Sequence, residues 1–166
     1  MDAKKVSTAK VIMMSEIGTV NGLEKVAELE PKETFEVGKM TWSKFTDVVN
    51  YSQDYKAVSK LLSVIMGIKE NRILRMPVTK TLPMFQDLSN QFRAIMKTLQ
   101  AINSELPSGK TAKDMSEFGL YNITNFICKA KKMSRKEVEE LSVYEIIFIY
   151  KNSVYEQLNA LKSIKK

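Results

Sequence analysis

The stretch that decides the fold is residues 82–102, LPMFQDLSNQFRAIMKTLQAI. Phe85, Leu88, Phe92, Ile95, Leu99 and Ile102 recur in it at intervals of 3, 4, 3, 4 and 3 residues. An α-helix turns once in about 3.6 residues, so this spacing draws one apolar stripe along one face, a short heptad seam. A helix is predicted from Leu82 to Ile102, capped by Thr81, with Pro83 tolerated in its first turn. The seam has two readings: it packs within its own domain, or it is a partner-binding face on which a second copy or another protein lays a helix. On the second reading those six residues are the candidate binding residues.

Working outward, the same grammar continues. Thr41 is placed to cap a helix in WSKFTDVVN (42–50). Val58, Leu61, Leu62 and Ile65 share a face of a helix in YKAVSKLLSVIM (55–66), which Gly67 stops. A short helix in KENRILRM (69–76) ends at Pro77. Beyond a turn at Pro107-Ser108-Gly109, helices are predicted over 115–131, after Ser134 and from Ser142 to about Ile164. Ser134 with Glu137, and Ser142 with Glu145, have the spacing of capping boxes. Shifted by 65 residues, the apolar positions overlay: Val58, Leu61 and Leu62 fall on Ile123, Phe126 and Ile127, and Ile73 falls on Val138. Val78, Leu82 and Phe85 fall on Val143, Ile147 and Tyr150. What repeats is the burial pattern; few residues are identical.

Residues 1–40 read differently. VIMMS (11–15) suits a strand or a helix start, Gly18 and Asn21-Gly22 are turn signals, and GLEKVAELE (22–30) holds helical turns ended by Pro31. Thr34–Val37 alternates polar and apolar residues as a short strand does, and Gly38 follows as a turn. The predicted architecture is mainly α: an N-terminal segment, 1–40, with short strand or partly extended backbone, then two packed three-helix units, 41–105 and 111–166.

Composition narrows the function. The chain has 166 residues, no histidine and one cysteine, Cys128. Without imidazole it lacks the commonest general base and metal ligand, and a cysteine nucleophile would lack its usual partner. Gly109-Lys110-Thr111 has neither the earlier glycine nor the buried strand of a phosphate loop. No catalytic residue, metal site or cofactor is therefore assigned, and the chain reads as a non-enzymatic protein. The lone thiol suits a reducing compartment, and no apolar run approaches a membrane span, so a cytoplasmic location, without membrane association, is expected. The net charge of +7 is spread evenly, 13 basic and 10 acidic residues before position 84, and 13 and 9 from there on. Ten methionines supply flexible apolar filler of the kind that irregular cores and adaptable binding surfaces use.

The segments TFEVGKMTWSKFTDVVN (34–50), DYKAVSKLLSVIMGIKENRILRMPV (54–78) and NFICKAKKMSRKEVEELSVYEII (125–147) resemble a pattern in tailed-phage tail and baseplate assembly chaperones. The resemblance covers about residues 34–150 and rests on apolar pattern and capping residues. It implies a small helical protein that holds a virion subunit before assembly, in the cytoplasm of the host cell. Two alternatives stay open. The seam would also suit a structural component of the virion, by self-association or with another subunit. NFICKAKKMSRKEVEELS (125–142) reads loosely as a helix-turn-helix, with Lys131, Lys132, Arg135 and Lys136 as its nucleic-acid contacts, although Glu137, Glu139 and Glu140 would repel phosphate.

Overall fold

The computed structural model describes residues 7–9, 31, 34–106 and 115–164. Turn chemistry sets where its helices stop. Helix α1 is Trp42–Val48, with the Thr41 carbonyl accepting from the Phe45 amide at 3.0 Å. Single-turn 3-10 segments follow at Val49–Gln53 and Tyr55–Ala57, the second held by Asp54, whose carboxylate accepts from the Lys56 amide at 2.8 Å. Then come α2 (Val58–Met66), α3 (Glu70–Leu74), α4 (Val78–Ser104), α5 (Met115–Lys131), α6 (Arg135–Glu140) and α7 (Val143–Ile164). The protein is mainly α. Among the described residues no strand forms, and extended pairing is confined to two isolated bridges, Ser7 with Pro77 and Thr41 with Ser142.

Those bridges belong to a structural repeat at the spacing the sequence suggested. Helix α2 ends on Gly67 at φ 66°, and α5 ends on Lys132, 65 positions later, at φ 54°. Both are left-handed stops, after which the chain re-enters a short helix. That short helix closes on a carbonyl used by a distant segment. Met76 C=O accepts from the Thr8 amide at 3.0 Å, and Leu141 C=O, again 65 on, accepts from the Trp42 amide at 2.7 Å. The bridged residues Pro77 and Ser142 are also equivalent, and α4 and α7 begin at the equivalent Val78 and Val143. Burial repeats with the backbone: Ile73 and Val138 are both fully enclosed, as are Leu62 and Ile127.

Two compact units result, and neither is continuous in sequence. One consists of Met1–Glu36 and Asp47–Phe92, the other of Val37–Thr46 and Arg93–Lys166. This corrects the expected division at 41–105 and 111–166. The start of α1 belongs with the C-terminal unit because its amide and its Trp42 ring are satisfied there. The break in α4 falls inside a helix, which no turn signal marks.

In the first unit, Thr8 Oγ1 bonds Thr81 Oγ1 at 2.7 Å and donates to the Met76 carbonyl at 2.9 Å. Ser59 donates to the Glu70 carboxylate at 2.6 Å, tying α2 to α3. In the second unit, the Trp42 indole is fully buried, stacks on Phe45 with ring centroids 5.4 Å apart and donates to Thr124 Oγ1 at 2.8 Å. Phe126 meets Tyr150 edge-on, and the Tyr150 hydroxyl lies 3.4 Å from the Asn103 side-chain oxygen. Burial holds the Tyr150 phenol above its ordinary pKa.

Several local expectations need correction. Residues 34–36 are irregular and Val37–Lys39 forms a 3-10 turn, where a strand was expected. A four-residue alternation without a neighbouring strand has no ladder to complete, and burial of Val37 and Gly38 shapes the backbone there. Gly38 is required by close approach: a Cβ there would fall inside the Tyr144 ring. Helix α4 starts at Val78, with the Pro77 carbonyl accepting from the Lys80 and Thr81 amides. Thr81 is thus interior and buried, not a cap, and Pro83 lies in the second turn. The readings of 11–30, and of the turn at 107–111, lie outside the described residues.

Both capping boxes form. Glu137 accepts from the Ser134 amide at 2.7 Å while Ser134 accepts from the Glu137 amide at 3.3 Å. Ser142 and Glu145 reproduce this at 2.8 and 3.3 Å. Hydrogen bonds from the serines, side-chain first and then backbone, hold both carboxyls below the usual range.

Two outcomes test this reading. Replacing Gly67 by Ala puts a side chain where φ is positive in open space, and should cost about 1 kcal/mol, whereas Lys132→Gly relieves the same geometry and should gain about 0.5–1 kcal/mol. Urea melts of the two variants should move in opposite directions. A carboxyl with a lowered pKa stabilises the fold at neutral pH, and that contribution disappears as pH falls through the lowered value. The Glu137→Gln/Glu145→Gln double variant should therefore show a flatter loss of stability on acidification than the parent.

Candidate functional site

The six seam residues of α4 are all enclosed by the chain itself. Phe85, Leu88 and Phe92 are between 1% and 4% exposed, and Ile95, Leu99 and Ile102 between 2% and 8%. This corrects their assignment as partner-binding residues: the side chains face the interior, and a second molecule finds nothing of them to cover. The heptad spacing was genuine, but a seam of under three heptads serves the packing of its own chain.

The basic residues assigned to nucleic acid are mostly engaged. Lys131 donates to both oxygens of Glu156, at 3.0 and 3.1 Å. Arg135 pairs with Glu139 at 2.6 Å and lies over the Tyr121 ring, 5.2 Å from its centroid. The Glu139 hydrogen bond, and then its charge, raise the guanidinium pKa. Lys136 lies 4.0 Å from Glu140. Lys132 projects from the left-handed stop and is exposed. Three of the four cations therefore already face carboxylates of their own chain. Cys128 is half-buried. Among the described residues, no group of three or more acidic or cysteine side chains could hold a metal ion, and no helix is long and apolar enough to cross a membrane.

Among the methionines whose burial is described, none is exposed. Met84 is buried, and Met40, Met66, Met76, Met96 and Met133 are half-buried.

What stands out instead was not singled out from sequence. Helix α7 buries Val143, Ile146, Tyr150 and Val154 on one side and leaves three aromatic rings on the other. Tyr144 is 51% exposed, Phe148 67% and Tyr155 44%. At about 100° per residue, Tyr144, Phe148, Lys151, Tyr155 and Lys162 fall within an arc of about 60°. Tyr144 and Tyr155 are about 16 Å apart along the axis. Lys151 lies over the Tyr155 ring, 5.9 Å from its centroid. The Tyr144 ring rests on the Gly38 backbone, so the near end of this ridge is set by a glycine.

The repeat-mate of α7 carries no such ridge. Shifted back by 65 residues, Tyr144, Phe148, Lys151 and Tyr155 correspond to Thr79, Pro83, Gln86 and Asn90. Helix α4 has no aromatic ring and no cation at those four positions, and Pro83 is buried where Phe148 is exposed. Exposing large rings costs hydrophobic free energy, and a contiguous exposed apolar patch marks an interaction surface. This comparison was open to sequence reading, since the 65-residue shift sets these residues side by side. The run VYEIIFIYKNSVY (143–155) by itself conceals the ridge, because core and exposed rings interleave.

The two apolar surfaces should respond differently to truncation. Ile95→Ala empties a buried site and should cost about 2–5 kcal/mol in urea unfolding. Phe148→Ala should stay within about 0.5 kcal/mol of the parent.

Compared with protein-family models, curated proteins and solved structures, the chain matches none.

Proposed function

We propose that this chain is a non-enzymatic helical interaction protein, an assembly chaperone or adaptor that holds a tail or baseplate subunit of a tailed phage. The observation that carries the interaction reading is the exposed aromatic ridge Tyr144–Phe148–Tyr155, present on α7 and missing from its repeat-mate α4. Rigid aromatic side chains supply large contact area at small entropic cost, which is why such rings anchor protein interfaces. The phage assignment is supported by the resemblance of residues 34–150 to tail and baseplate assembly chaperones. Absence of histidine from the whole sequence favours binding over acid–base chemistry.

Nucleic-acid binding is the weaker reading. Lys131, Arg135 and Lys136 would each have to leave a carboxylate to reach phosphate, and Glu137, Glu139 and Glu140 stand on the same short helix. A purely structural place in the virion has lost its main support, since the seam that suggested it is buried.

Co-expression with the tail and baseplate subunits encoded near its gene tests the proposal. A stable complex with one subunit should elute from size exclusion, and purified virions should lack the chain. Stoichiometric presence in virions, or no complex with any of those subunits, contradicts it.

A further inference from the structure

The charges of α7 say which kind of partner the ridge fits. The helix carries two carboxylates within the span of the ridge, Glu145 and Glu156. Both are occupied by their own chain. Glu145 accepts from the amide and hydroxyl of Ser142 at 2.8 and 2.6 Å, and Glu156 receives Lys131. The two lysines that lie on the ridge are differently placed. Lys151 and Lys162 are exposed, and among the described residues neither makes an ion pair. The unmatched charge along the ridge is therefore positive, with Lys151 between Phe148 and Tyr155 and Lys162 about two turns beyond Tyr155.

Resting on the interaction-protein reading above, we infer that the Tyr144–Phe148–Tyr155 ridge docks an amphipathic helix of a protein partner that carries acidic residues beside its apolar stripe. Spacing and charge both favour this occupant. The rings follow one another at 4 and 7 residues, the interval at which a straight partner helix presents its own apolar positions. Carboxylates flanking that stripe reach Lys151 and Lys162, raise the association rate and fix the register. A second copy of the chain fits less well. An antiparallel pair about the middle of the ridge brings Glu145 toward Glu156, and Lys151 toward Lys151, of the other copy. Nucleic acid fits less well too, since only two unpaired cations lie along about 27 Å of helix from Tyr144 to Lys162, beside two carboxylates.

The test titrates the full chain against two fluorescein-labelled peptides of three heptads each, with the same leucine seam. One has glutamate at the flanking positions and the other lysine, and an oligothymidylate serves as a third probe. The glutamate peptide should bind about tenfold more tightly than the lysine peptide, and Lys151→Glu should erase that preference. Phe148→Ala with Tyr155→Ala should weaken binding by at least about tenfold while thermal melts match the parent. Equal binding of the two peptides overturns the inference. So does unchanged binding in the ring variant, tighter binding of the oligothymidylate, or sedimentation showing self-association that the ring variant abolishes. The outcomes separate this site from the broader proposal. A tail-subunit complex that survives the ring variant leaves the chaperone reading standing and removes the ridge. Glutamate-peptide binding that needs the rings, without any tail-subunit complex, keeps the ridge and removes the phage assignment.

Discussion

The repeat depends on a backbone hydrogen bond made twice. At the end of each short helix one carbonyl, Met76 or Leu141, is taken by the amide of a residue far upstream, Thr8 or Trp42. A helix of five or six residues cannot hold itself together in water, because its nucleation cost is spread over too few bonds. Pinning a carbonyl just past its end to an upstream segment fixes where the next, long helix starts. In the second unit the same segment also delivers the Trp42 ring to Thr124, so closure and core formation are one event. The discontinuity of both units follows, since each takes its closing strand-like contact from a segment outside its own helical run.

Once the scaffold is seen to repeat, its departures become informative. At equivalent positions α4 carries Thr79, Pro83, Gln86 and Asn90, and α7 carries Tyr144, Phe148, Lys151 and Tyr155. Both helices start at the same register, but α4 also buries Leu82, Pro83 and Met84, where α7 leaves Ile147 and Ile149 half-buried and Phe148 exposed. Tyr144 packs on Gly38, but the exposed parts of the three rings reduce the net hydrophobic gain of folding. The balance is restored if something covers them, which is the physical basis for treating the ridge as the working surface.

Much of the architecture could be read from sequence. The two serine–glutamate capping boxes, the Gly67 stop, the bounds of α5 and the 65-residue offset each rest on local chemistry, and all are present. Local chemistry could not say which segment closes which unit. Thr41-Trp42 precedes α2 in sequence yet serves the unit that holds α5, α6 and α7. Nor could it separate seam from surface. Periodicity reports that Phe85 through Ile102 share a face, not what covers that face, so residues offered to a partner proved to be core. The ridge was missed for the converse reason: its rings sit in a run so apolar that burial looked uniform. The pairing of Lys131 was equally invisible, since Glu156 is 25 residues away, whereas Arg135–Glu139 and Lys136–Glu140 have the i,i+4 spacing that a helix brings together.

Hydrogen–deuterium exchange on the full chain, alone and in complex with a co-purified subunit, tests the central claim most directly. A partner lying on the ridge slows exchange of amides in 143–162 and leaves the equivalent stretch of α4, residues 78–92, as it was. Protection over 78–92 or 131–136, with 143–162 exchanging as in the free chain, would contradict the account.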